Sequence, residues 1–157
     1  MMVEKMHTWD DNWNDVIRDV LFQDEILKRM MMVPKNTTVV EFIEKYFIKD
    51  AAADEFLIDE KVRIVYYDTP GGHTNHMGVR LKNKDFDIYV KSDFLYNATN
   101  DRLKSRCNLI AERIKYLLLR NTYICGLRFN YEDEFELWTK VVGYKRYHII
   151  FSYNTTV

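Results

Sequence analysis

A chain of 157 residues, 47% apolar and 15% aromatic, is long enough for one domain with its own core, because a chain of this size buries roughly 70% of its unfolded surface. Its net charge of -1 gives no electrostatic reason for tight binding to nucleic acid or an anionic membrane. Two cysteines, Cys107 and Cys125, do not make a disulfide framework, no run approaches the ~20 apolar residues of a membrane-spanning helix, and the charged first residues do not read as a signal peptide.

In chain order, the first predicted helix covers Asp11 to Met31. Its apolar residues Trp13, Val16, Ile17, Val20, Leu21, Leu27 and Met31 recur at three- and four-residue steps, and Pro34 follows as a stop signal. Thr38-Val39-Val40-Glu41 has the form of a capping box, in which hydroxyl and carboxylate satisfy each other's backbone N–H groups. It opens a second helix that runs to about Asp50, with Val39, Phe42, Ile43, Tyr46 and Phe47 on one face. Residues 1–55 thus form a helical N-terminal part and residues 60–157 an α+β core, within a single domain.

Lys61 to Tyr67 alternates as a strand with apolar side chains on both faces, as an interior strand requires. Asp68 to Gly78, with Pro70-Gly71-Gly72, reads as a loop. Met77–Leu81 and Asp85–Val90 follow as strands, joined near Lys82-Asn83-Lys84 or fused into one bulged strand. A third helix begins near Asn100-Asp101, and its stripe is Leu103, Cys107, Ile110, Ala111, Ile114, Leu117 and Leu118. Such a stripe suits packing on a sheet and makes Cys107 a buried free thiol. After Gly126 come Leu127–Tyr131, the acidic Glu132-Asp133-Glu134, Phe135–Val142, and a last strand from Tyr144 to Tyr153. In that strand Tyr147, Ile149, Phe151 and Tyr153 share the core face, while Tyr144, Arg146, His148 and Ser152 face solvent or a neighbouring subunit. The expected fold is α+β: a mixed or antiparallel sheet on a long amphipathic helix, with two additional N-terminal helices.

No motif carries catalysis. His73 and His76 are three apart in a glycine-rich loop, but zinc needs three or four ligands. Asp85 and Asp87 project to one face of a strand and could hold Mg²⁺, yet Ile88-Tyr89-Val90-Lys91 lacks the acid–x–lysine spacing of a nuclease, so they read as two solvated acids. His148 has no nucleophile elbow beside it and reads as a hydrogen-bonded sheet histidine. Gly71-Gly72 lacks the lysine and helix start of a phosphate loop. Lys104, Arg106, Arg113, Lys115 and Arg120 make the third helix basic, a solvated face or one complementary to an acidic segment on another copy. No catalytic residue, cofactor or metal is assigned.

The order of these elements carries a resemblance. Strand Phe86–Val90, a polar linker, a helix from about Asp101, a turn at Gly126, the aromatic and acidic hairpin Phe129–Trp138 and the closing strand Tyr147–Tyr153 resemble the tail terminator (tail completion) proteins of tailed bacteriophages. The resemblance covers roughly residues 60–157. It implies a small α+β subunit of a ring, commonly a hexamer, that caps the tail tube protein and meets the head–tail connector protein. It further implies a lumen that passes DNA without reading sequence, a place in the virion neck after assembly in the host cytoplasm, no membrane contact and no enzyme activity. The candidate interface residues are His73, Asn75 and His76 in the loop, with Glu132, Asp133 and Glu134 facing Arg102 and Arg106. The N-terminal helices depart from a minimal terminator, which makes a head–tail connector or stopper the alternative. A small metal-dependent hydrolase using Asp85, Asp87, His73 and His76 is the alternative from another class.

Overall fold

The computed structural model of the protein describes residues 9–49, 60–69, 79–96, 105–120 and 128–156. Three helices open the chain: α1 (Trp9–Phe22), α2 (Glu25–Met30) and α3 (Val39–Lys45). A short strand β1 (Phe47–Lys49) leads to β2 (Val62–Thr69) and β3 (Val79–Lys91), then a single 3-10 turn at Ser92–Phe94, the long helix α4 (Arg106–Arg120), and strands β4 (Asn130–Leu137) and β5 (Tyr144–Thr156). The sheet order is β1-β2-β3-β5-β4. Among the described strands, β1 and β2 pair in parallel and the other three pairings are antiparallel. The fold is α+β, a mixed sheet with α4 across one face.

Alternation decides that face. Val62, Ile64 and Tyr66 of β2, Phe86, Ile88 and Val90 of β3, and Ile149, Phe151 and Tyr153 of β5 are buried together with Cys107, Ile110, Ala111, Ile114, Leu117 and Leu118 of α4. Ile17 and Leu21 of α1, Leu27 of α2 and Phe42 of α3 extend the same core. An aromatic series threads it: Phe22–Phe42 at 5.2 Å, Phe42–Phe47 at 6.0 Å, Phe47–Tyr66 at 4.2 Å and Phe86–Phe151 at 5.6 Å between ring centroids. Each such ring buries a large apolar area, so helices, β1 and sheet form one cooperative unit. Arg113 adds a bidentate grip on Asp24, at 2.8 and 2.6 Å, and Arg106 donates to the carbonyls of Met30 and Phe94.

Several boundaries differ from the expected ones. The first helix divides because Asp24 accepts from the Leu27 N–H at 2.8 Å and so caps a new helix. The second helix stops at Lys45, and Phe47–Lys49 becomes a strand hydrogen-bonded to β2. The Thr38 hydroxyl does accept from Glu41 N–H at 3.2 Å. β3 runs through Lys82-Asn83-Lys84 without interruption, and Lys84 is buried by an ion pair with Asp68 at 2.6 Å and a hydrogen bond to Asn14 Oδ1 at 2.7 Å. α4 starts at Arg106, where the Ser105 hydroxyl accepts from Asn108 N–H. The acids 132–134 lie inside β4, where the register shifts between Tyr131 and Asp133; the following turn ends at Gly143, whose φ of +81° suits glycine.

Candidate functional site

The sheet face turned away from α4 holds a buried ion network, which β3 and β5 bring together. Asp87 stands directly opposite His148, and Asp85 opposite Ile150. Residues opposite and diagonal on one face are within side-chain reach, so the imidazole sits between both acids. His148 Nδ1 is 2.6 Å from Asp87 Oδ1, and Nε2 is 3.2 Å from Asp85 Oδ2. Neighbouring strands complete the set. Tyr67 of β2 donates to Asp87 at 3.0 Å, Thr69 donates to Asp85 at 3.0 Å, and Arg146 Nη2 donates to Asp87 at 2.8 Å. The Phe135 ring of β4 lies 5.3 Å from the imidazole.

Asp85, Asp87 and His148 are only 4%, 2% and 6% exposed. The expectation of two solvated acids is therefore corrected: both carboxylates are buried, and each meets His148 and a hydroxyl, with Arg146 also on Asp87. His148 is likewise buried rather than turned to solvent, while remaining a hydrogen-bonded sheet histidine. Burial works against a charged imidazole, but its bonds to Asp85 and Asp87 outweigh burial and push it up to about 9. Burial would raise the Asp87 carboxyl, yet His148 and Arg146 hold it below the usual carboxylate range. Burial, with the charge of Asp87, pushes the Tyr67 phenol up, so it stays a donor.

This arrangement suits structure better than turnover. The two ring nitrogens of His148 face different carboxylates on opposite sides of the ring, so the three groups do not converge on one point. Among the described residues, no group of three or more His, Cys, Asp or Glu is placed to hold a metal ion. Cys107 is buried, and burial pushes its thiol up to about 12, far from a reactive thiolate.

The proposed interface residues have separate places. His73, Asn75, His76 and Arg102 lie outside the described residues, as does Cys125. Arg106 is engaged with the Met30 and Phe94 carbonyls, and burial lowers its pKa. Glu134 accepts from Lys115 of its own α4, from Tyr131 and from Tyr147 at 3.1 Å; these donors outweigh burial and hold its carboxyl low. Glu132 accepts from the Ser152 hydroxyl. Asp133 is exposed and accepts from the Glu134 N–H at 2.8 Å at the bulge.

Beyond those residues, an open groove of about 410 Å³ lies where the 3-10 turn, the start of α4 and the β4–β5 pair meet. Leu95, Tyr96, Asn108, Phe135, Lys145 and Arg146 are among its lining residues. Neither this groove nor the ion network could be read from the sequence without strand register. The available signal was the pairing of D-x-D in one strand with R-x-H in another, both at period two. No helix among the described residues is long and apolar enough to cross a membrane. No protein-family model matches the chain, and no curated protein matches it.

Proposed function

We propose that this chain is a virion structural protein of a tailed bacteriophage. In this reading it is a tail terminator whose copies close into a ring, six by the pattern of that family, between tail tube and head-side connector. The observation that carries the reading is the order β2–β3–α4–β4–β5, with one long helix across a sheet that ends in an acidic, aromatic hairpin. The function is geometric: one ring face ends tube growth and the other receives the connector, while DNA passes through the lumen. The internal pairing of Asp85, Asp87 and His148 supports a non-enzymatic role, because no acid of the trio is left to activate water or substrate.

The α1–α3 layer favours a second reading within the class, a head–tail connector or stopper. It is fixed to α4 through Arg113 and Arg106, so it is part of the subunit body and could shape it for a particular neighbour. Negative-stain microscopy and native mass measurement test both readings. Closed rings are expected, bound at the end of tail tubes for a terminator and to connector particles for a stopper. A chain that stays monomeric even with tail tubes and connectors present would overturn the ring.

A further inference from the structure

The groove sits at a corner whose parts are tied together. Ser92 N–H donates to the Gly143 carbonyl at 2.8 Å, and Arg146 Nη1 reaches the Trp138 carbonyl at 3.5 Å. Three large apolar side chains stand out from this corner: Tyr96 is 64% exposed, Trp138 76% and Val142 94%. Scattered exposed apolar residues need no explanation, but Tyr96 on the groove's lining, with Trp138 and Val142 in the turn bonded to it, makes one corner of exposed apolar surface suited to contact. Cations lie beside them. Lys145 has half its side chain in solvent, and its pairing with Glu136 at 3.3 Å joins two exposed groups, a bond of little strength that a partner can replace.

The geometry points to this corner as the seat of a second copy of the chain, received through the acidic start of that copy's β4, Glu132 and Asp133, against Lys145. The inference rests on the ring reading above and names the contact that would close the ring. Charge selects the occupant. Glu132 and Asp133 are exposed on β4 and accept from neutral donors, the Ser152 hydroxyl and the Glu134 N–H, whereas the charge of Glu134 is already met by Lys115 of its own chain. Asp133 and Trp138 are five residues apart, about 16 Å along a strand, so the acidic end and the corner of one chain do not meet. Between copies set head to tail they do. Such a contact joins two different surfaces, the kind that generates a closed ring.

Edge-to-edge strand pairing is the competing geometry, and β4 is shaped against it. A register shift at Tyr131/Asp133 and a row of exposed acids interrupt β4, which is the edge strand among the described residues, devices that discourage strand addition. The contact therefore runs end to end, with Trp138 and Val142 covered and the acids against Lys145.

Sedimentation velocity and negative-stain microscopy of the full chain test this over a range of concentrations. Val142→Asp alters a side chain almost wholly in solvent, so folding is unaffected; it should raise the concentration needed for assembly at least tenfold at an unchanged melting temperature. Asp133→Lys should do the same, and Lys145→Glu added to it should restore part of the lost assembly, since the Asp133–Lys145 pairing is then reversed while Glu132 keeps its charge. Rings that form from Val142→Asp and Asp133→Lys at the wild-type concentration would overturn this contact and leave the ring reading standing. A wild-type chain that is monomeric alone and with tail tubes would remove both. A wild-type chain that is monomeric alone but binds tubes through Val142 would make the tube the occupant and overturn the copy-to-copy contact.

Discussion

His148 is held by two carboxylates that its own strand does not supply, and this gives the protein a defined response to alkali. Its imidazole titrates near 9 when folded, against an ordinary value of 6.5. A group whose folded pKa is raised adds stability that is complete below the unfolded pKa and disappears as pH rises through the folded one. The window is therefore pH 6.5 to 9. At 1.36 kcal/mol per unit the loss across it is about 3 kcal/mol, or about 6–12 °C in melting temperature for a chain of this length. Cys107, raised from 9 to about 12, adds a loss only above pH 9, so among the described groups this window belongs to His148. Thermal melts across it should slope downward for the wild type and run flat for His148→Gln; a flat wild-type profile would sink the assignment. Asp87 is the more heavily used acid, accepting from His148, Tyr67 and Arg146. Asp87→Asn places an amide donor against those donors and leaves buried cations without their counter-charge. It should cost about 3–5 kcal/mol, read as a lower urea midpoint at unchanged slope.

Elements differ in how much of them a sequence can display. α4 carries six buried positions of its stripe, Cys107, Ile110, Ala111, Ile114, Leu117 and Leu118, so sequence and structure agree along it from Arg106 to Arg120. The strands show period two for the same reason, with one face in the core. The break between α1 and α2 is hidden because apolar spacing continues across Gln23 and Asp24; what ends α1 is a side-chain cap secured by Arg113, 89 residues away. β1 is hidden because three residues are too few to show a period, and only its pairing with Ile64–Tyr66 makes it a strand. The ion network is hidden because it needs register: a one-residue slip of β5 on β3 would send His148 to the other face. Asp24 gives a prediction at this scale. Asp24→Ala removes both the cap and the ion pair that holds α2 to α4, and should destabilise by about 2 kcal/mol. Asp24→Asn keeps a good cap and loses only the charge, so its melting temperature should fall between those of the wild type and the alanine variant.

At the scale of the whole molecule, the cations bear on whether the protein can hold DNA. The third helix looked basic in sequence, but folding engages most of that charge. Arg106 serves two carbonyls, Arg113 serves Asp24, and Lys115 serves Glu134. Arg120 donates to the Tyr116 hydroxyl. A net charge of -1 leaves no counterion-driven pull on duplex DNA, because tight binding requires many phosphates to be neutralised at once. The ring proposed above would benefit from this, since each strong phosphate contact would slow passage of DNA. Electrophoretic mobility shift with duplex DNA should accordingly show no complex at micromolar protein and about 150 mM salt, and only weak, salt-sensitive retardation near 50 mM. Binding that falls about a thousandfold between 50 and 200 mM salt would mean six or more neutralised phosphates; it would identify a DNA-binding surface that a passive lumen does not have.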